Sequence, residues 1–405
     1  MVATWLAGVQ AAVGLGAVSP VSSAVQSSFG LSISTVACAT STMTAVGAAL
    51  GIPVGWWTSR LCARRALLAG LLVISAAAGL SALADTWGLL LLLRTVEGAG
   101  YLLVFVAGPI VLTRLTRGRT QAAALALWGT CVPTGLAAAA AAGGALSSEL
   151  TWNRWLGVTG IGPLLLAGFL AVTLPRLPNA AIGPRPRAAG TWVRFLGPAG
   201  AYACLSLIGV AVVVMLPTFF TEARNETSAE AGAVAAVVTA WSAAGGLLAG
   251  WLLRRGVAVR ALAPLAVLMP LACLPAFSAD IPVGAGVSAA AVVLLVDGLL
   301  ISVVFAAVPA IARRAEDVDL ANGALAQFGS LGVLMGPPAF GLAVKYGGWS
   351  GTTAATSLFA ALGAALLLVT ARSVQTAASD FPSPSTQLPG PDSAAYGEIL
   401  NRRSE

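Results

Sequence analysis

Two carboxylates stand apart from the rest of the charge in this chain. Most of the fifteen acidic residues fall among polar, turn-forming stretches or near the C-terminus. Glu97 and Asp297 instead lie inside long apolar runs. Each sits about ten to thirteen residues from the end of its run, roughly 15–20 Å deep on a helix rising 1.5 Å per residue. An ionised carboxylate at that depth costs at least about 2.5 kcal/mol in a bilayer, so it must be paired, hydrated or protonated. Arg94 precedes Glu97 by three positions, which places the two on one helical face within ion-pair reach. Asp297 has Leu294 at the matching place and no in-helix partner. Burial without a counter-charge disfavours the ionised form, so Asp297 is the better proton carrier of the two. The bland alternatives are a structural ion pair locking Arg94 and Glu97 to a neighbour, and a packing acid bonded to a Ser or Thr. Histidine is absent, so proton handling falls to carboxylates.

The elements that must position these groups follow from composition. Hydrophobic residues make up 58% of the 405, charged residues only 9%, and the mean hydropathy is +0.89. A water-soluble enzyme is excluded by that balance, since an ordinary soluble domain carries about 25% charged residues. Residues 1–59 contain no charged side chain, too long a run for a cleaved signal peptide. Twelve apolar helical spans are predicted, near 4–25, 33–57, 66–84, 87–113, 121–147, 155–175, 195–220, 230–253, 261–279, 284–312, 320–344 and 350–371. The stretch 176–194, with four arginines among Pro178, Pro184 and Pro186, reads as a basic linker. It separates a six-helix half at 1–175 from a second at 195–371, and the Ser/Pro-rich residues 372–405 read as a disordered cytoplasmic tail.

Basic residues give the direction. Loops after even-numbered spans carry Arg60, Arg64, Arg65, Arg114, Arg117, Arg119, Arg254, Arg255, Arg260, Arg313 and Arg314 besides the linker arginines. Loops after odd-numbered spans carry Arg154, Arg224 and Lys345. The positive-inside rule then puts both termini in the cytoplasm of a multi-pass cell (inner) membrane protein. The net charge of +7 is accounted for by that topology and calls for no nucleic-acid partner. Cys38, Cys62, Cys131, Cys204 and Cys273 are scattered singly, which suits packing rather than a disulfide framework or metal site.

The two acids are related by an internal repeat. Shifting the chain by 200 positions matches Glu97-Gly98 with Asp297-Gly298, Phe105 with Phe305, Pro109 with Pro309 and Arg114 with Arg314. The register runs on without a gap to Gly129-Thr130 and Gly329-Ser330. Two six-span halves in the same orientation explain it.

Several motifs then carry a resemblance. Gly55, Ser59, Arg60, Cys62, Arg64 and Arg65 between spans two and three resemble the G-x-L-A-D-R-x-G-R-R loop of the major facilitator superfamily. They match at Gly55, Arg60 and Arg64 and depart at Ser59, where that family has Asp, and at Cys62, where it has Gly. The Asp belongs to the family's charge-relay latch on the cytoplasmic side. Arg94, Glu97, Gly98 and Gly100 are similar to the family's R-x-x-Q-G-x-G, and Trp152-Asn153-Arg154-Trp155 to its W-R-W. Gly129 to Gly135 is only a faint echo of the antiporter pattern G-P-x-x-G-G. Within the family, the R-x-x-E-G-x-G and L-W-G-T-x-x-P segments look like the cyanate and nitroimidazole transporter-like branch. The resemblance implies an all-α integral membrane fold of twelve helices in two pseudo-symmetric halves, with spans one, four, seven and ten around a central cavity, acting as a monomer.

The function expected is secondary active transport of a small organic solute by alternating access, with Glu97 and Asp297 coupling protons. No G-x-x-x-x-G-K-[ST] loop for bound nucleotide is present, and no enzyme activity or cofactor is expected. With the acids protonated, Arg94 suits a small anion, favouring proton symport and uptake. With them ionised, the pocket suits proton-coupled efflux of a cationic or drug-like solute. A non-transporting sensor or scaffold is a further alternative. Arg94, Trp128, Trp241, Gln327 and Tyr202 are the candidate substrate contacts, since a large amphipathic side chain mid-span needs a partner. Gly55, Ser59, Arg60 and Arg64 are candidate gating residues. Protons and the lipid bilayer are the other expected partners.

Overall fold

A computed structural model describes residues 1–60, 62–146, 149–175, 189–312 and 315–379. Side chains are described throughout these except at 33–34, 59–60, 189–194, 228–229, 315–316 and 373–379. The predicted linker up to residue 188, Arg313, Arg314, and the tail from 380 lie outside the described residues, as do the side chains of Ser59 and Arg60.

Every described element is helical, and 12 helices are long and apolar enough to cross a membrane. In chain order the spans are Val2–Phe29, Thr35–Thr58, Ala63–Ser81, Trp87–Leu115, Gly118–Leu146 and Trp152–Thr173. The second six are Phe195–Arg224, Glu230–Arg254, Val259–Ala276, Val283–Ile311, Asp317–Gly347 and Gly351–Arg372. Helices satisfy every backbone polar group within the segment, which lipid demands. Local sequence sets their ends and breaks. Thr86 caps span four by accepting from Leu89 N–H at 3.3 Å. Thr227 and Glu230 close a reciprocal capping box at the start of span eight. Span one is pinched into a 3-10 turn over Ser19–Val21 at Pro20, and span five breaks at Gly129 and Thr130 between Gly118–Trp128 and Cys131–Leu146.

Several boundaries differ from expectation by a few residues, and three of the differences bear on the fold. Span three starts at Ala63 rather than 66. Arg64 is there put to use: Nε and Nη2 donate to the carbonyls of Leu174 and Ala171 at 3.0 and 2.5 Å, groups that the end of span six leaves without helical partners. Arg64 therefore clips span three to span six. The helix of span seven begins at Ala189, inside the stretch read as linker, once Pro184 and Pro186 are passed. The last helix runs to Ser379, past the expected start of the tail.

The repeat has a direct structural counterpart. Gly98 of span four lies on the backbone of Met43 in span two, and Gly298 of span ten lies on Ser242 in span eight. Spans four and ten thus press against spans two and eight through the glycine that follows each acid. Spans one and seven supply the other wall: the carboxylate of Glu97 faces Gly14, and that of Asp297 faces Gly209. At the end of the bundle remote from the arginine-rich loops, the described polar contacts stay within one half. Trp155 Nε1 donates to Ala17 O at 2.8 Å, and Arg224 Nη2 to Ser278 O and Ile281 O at 2.6 and 2.5 Å.

Candidate functional site

The first acid is built into a three-helix joint. Arg94 Nη1 donates to Glu97 Oε2 at 2.6 Å, Nη2 to Gly14 O at 2.6 Å and Nε to Ala39 O at 3.5 Å. The pair is 1% and 0% exposed. One guanidinium therefore ties span four to spans one and two, while Glu97 cancels its charge. Gly14 is required here, because the second Glu97 oxygen occupies the space a side chain would take.

The second acid has the same depth and none of this support. Asp297 is 3% exposed, its Oδ2 lies against Gly209, and its Oδ1 has no hydrogen-bond partner. Span seven carries Ser206 and Tyr202 one and two helical turns from Gly209, on the same side of the helix.

Aromatic rings fill the bundle on the arginine-rich side of the acids. Tyr101 stacks on Phe105 with centroids 4.3 Å apart, Phe105 meets Trp128 edge-on at 5.5 Å, and Tyr202 meets Phe305 at 5.1 Å. Phe105 and Phe305 are repeat mates. Trp128 is buried against Gly8 and Gly108, with no partner for Nε1.

Beyond the aromatics the halves close on each other along two seams that are also repeat mates. Span two lays Gly47, Gly51 and Gly55 against Ser330, Gln327 and Gly323 of span eleven. Gly51 leaves so little room that a Cβ would stand 2.5 Å from the Gln327 backbone nitrogen. Ile52 N–H donates to Gln327 Oε1 at 2.9 Å, beside the turn that Pro53 disrupts. Arg114 at the end of span four reaches Asp319 at the start of span eleven at 3.2 Å. The mating seam sets Gly246 and Gly250 of span eight against Thr130 and Ala126 of span five. At Gly250 a Cβ would have 3.5 Å to its nearest neighbour, ordinary contact.

Two of the candidate substrate contacts are therefore assigned elsewhere. Trp241 is 46% exposed and shares a helical stripe with exposed Val237 and Leu248. It looks away from the bundle because Ser242 and Gly245, not Trp241, occupy the face toward span ten. Gln327 belongs to the seam rather than to the acids. Arg94 lies at the expected depth, but its donors are committed to Glu97, Gly14 and Ala39. Trp128 lies in the stretch of span five that forms the second seam, and Tyr202 packs against Gly329 beside the first. Gly55 is at the span two–eleven crossing, whereas Arg64 holds span three to span six. Sequence reasoning missed Tyr101, Gly14, Gly209 and the Arg114–Asp319 pair. The run Gly47-x-x-x-Gly51-x-x-x-Gly55 was a readable signal for the seam, since small residues four apart let helices approach closely.

The family model for the Major Facilitator Superfamily matches residues 4–315. The chain belongs to the major facilitator superfamily. Its members and the solved neighbours below are transporters rather than enzymes, and the chain has their membrane-spanning transporter fold. The human organic anion transporter MFSD10 (TETRAN) superposes with a TM-score of 0.73 at 14% identity, covering 90% of this chain and 98% of that one. The proton:xylose symporter XylE, bound to 6-bromo-6-deoxy-D-glucose, gives 0.71 at 14%, covering 89% and 93%. FucP in the outward conformation gives 0.70 at 16%, covering 92% and 97%. No curated protein matches the chain significantly in sequence. These neighbours carry anions and sugars by their titles, so the superfamily fold alone leaves the solute open.

The Arg114–Asp319 contact yields a prediction for this family member. Asp319→Asn is expected to weaken the closed seam by about 1 kcal/mol, the scale of a partly exposed pair. Labelling of a cysteine introduced at Ala326 should speed up accordingly. The charge swap Arg114→Asp with Asp319→Arg should restore the slower rate; failure of the swap together with an unchanged Asp319→Asn rate would remove the pair from the gate.

Proposed function

We propose that this chain is a proton-coupled secondary transporter of a small organic solute, working by alternating access with Asp297 as the proton carrier. The observation that carries the reading is the contrast between two acids at matching depth. Each acid keeps one buried oxygen without a hydrogen-bond partner, but Glu97 is neutralised by Arg94 and locked among spans one, two and four, whereas Asp297 has no counter-charge. A buried carboxylate without a partner must take up a proton or meet a cation to remain there. Glu97 becomes the structural counterpart, and the coupling role expected of both acids narrows to one.

The positive-inside pattern places the arginine-rich end in the cytoplasm of the cell (inner) membrane, with the termini on that side. The closed seams then make this the outward-facing conformation. Movement of the halves about the central acids would open spans two and eleven, and five and eight, to the cytoplasm. The transporter acts as a monomer. The symport-of-anion form of the expectation relied on Arg94 reaching the solute. Its guanidinium is spoken for, so that form loses its principal support.

The test uses the full chain in liposomes with a trapped pH dye. Addition of a solute panel to wild type should drive proton movement, and Asp297→Asn should reduce it to the level of empty liposomes. Solute flux in both proteins without any proton movement would refute the proton role. Absence of all flux, with both mouths failing to open alternately in cross-linking, would favour a sensor or scaffold.

A further inference from the structure

The charge of the solute can be argued from what surrounds Asp297. We infer that the central site takes an organic cation that exchanges with a proton on the Asp297 carboxylate; this rests on the proton role proposed above for that residue.

Every element packed around the carboxylate lacks a matching positive charge. Span seven faces it with Gly209 and brings Ser206 and Tyr202 alongside. Span eight presents the backbone of Ser242 to the adjacent Gly298 and has no charged residue between 231 and 253. Spans five, nine and twelve are equally free of charge over 120–146, 261–276 and 352–371. The titratable Cys273 on span nine is engaged by Thr352 and Thr356 of span twelve. Span eleven carries its charges only near its ends, at Asp317, Asp319 and Lys345. The one cation at comparable depth, Arg94, is closed off by Glu97 and two carbonyls. The described centre of the molecule therefore holds one uncompensated acid and no uncompensated base.

That imbalance sets the coupling. A bare carboxylate at this depth opposes closure of the bundle around it, because the ionised group would be sealed off from water. Two loads remove the penalty. The carboxyl can hold a proton, or it can release that proton to the open side and pair with a monocation; the site is neutral in both cases. The halves can then change places with either load and not with neither, which is obligatory exchange of one proton for one positive charge. An anion fits neither state: it meets a negative or a neutral carboxyl and no available guanidinium.

The aromatic set gives the cation its second feature. Phe305 lies eight residues from Asp297 on the same helix, about 12 Å along the axis, and its ring meets Tyr202. Tyr101, Phe105 and Trp128 extend this buried ring cluster from the other half. Movement of the halves about Asp297 would uncover these rings, whose faces attract cations and whose edges pack on an apolar body. The solute class is a monocationic amphiphile with an apolar or aromatic part.

The experiment measures proton release from the detergent-solubilised full chain in weak buffer at neutral pH. The cation panel runs from tetramethylammonium through benzyltrimethylammonium to tetraphenylphosphonium, with benzoate and glucose as the anionic and neutral arms. Wild type should release a proton on binding the aromatic cations. Asp297→Asn should release none and bind them about tenfold or more weakly, as expected for losing one charge-assisted contact. Asp297→Glu should restore the release. If no cation releases a proton, or if benzoate or glucose instead moves protons through Asp297 in liposomes, the cation assignment falls while the proton role stands. If pH gradients move nothing and Asp297→Asn matches wild type in folding and flux, the proton role falls with it.

Discussion

Glu97→Gln is expected to lower the unfolding free energy of this transporter by about 3–5 kcal/mol, the cost of removing one member of a buried ion pair. The variant leaves Arg94 charged and 1% exposed, with only neutral acceptors as partners: the new amide oxygen and the carbonyls of Gly14 and Ala39. None of these neutral acceptors can offset a full positive charge in an apolar interior. Arg94→Met should cost a comparable amount, because Glu97 is then stranded against Gly14. The double variant Arg94→Met/Glu97→Met removes both charges and should recover most of the loss. Denaturant unfolding in detergent checks all three. If Glu97→Gln unfolded like wild type while losing solute-driven proton movement, Glu97 would be a proton site and the joint described here would be wrong.

The second large effect is at the seam. Gly51→Ala would set a methyl 2.5 Å from the backbone nitrogen of Gln327, where neither helix backbone can yield locally. Overpacking of this kind costs about 1–3 kcal/mol. Only the conformation closed at the arginine-rich end bears the cost. A bias of that size shifts the balance of the two conformations by about 5–150-fold. The rate at which an engineered thiol at Ala326 is labelled should rise by that order. Gly250→Ala is the internal control at the repeat-related position. Its methyl meets ordinary contact at 3.5 Å, and both substitutions share the same gain in helix propensity, about 1 kcal/mol. Equal labelling of the two variants would show that the seams do not differ in tightness.

Much of this architecture was readable in the amino-acid order, for a physical reason. A bilayer forces spans of about 20 apolar residues, so charge and turn clusters punctuate the chain at every crossing. Glu97 and Asp297 were visible because carboxylates are costly at depth, and the repeat was visible because Pro109 and Phe105 recur at Pro309 and Phe305. Facing was harder. Apolar residues clothe a membrane helix on all sides, so little separates a lipid-facing Trp241 from an inward Trp128; both are large, amphipathic and mid-span. The seam partner of Gln327, Ile52 N–H, was out of reach because it is a backbone group 275 positions away that has no sequence signature. Arg94 was read correctly as paired, but its hold on Gly14 and Ala39 required the third dimension.

Duplication would by itself give the molecule two equal doors, and the two differ at the end nearer the arginine-rich loops. Gly51 and Gly55, Gln327 and the Arg114–Asp319 contact bind spans two and eleven, while between spans five and eight Gly246 abuts Thr130 but Gly250, one turn further on, leaves slack. Release on the arginine-rich side should accordingly begin as an asymmetric splay, like a book parting at its looser edge before the spine follows. A solute crossing that end in either direction would pass Ala126 and Thr130, so bulk introduced there should slow its passage on that side alone.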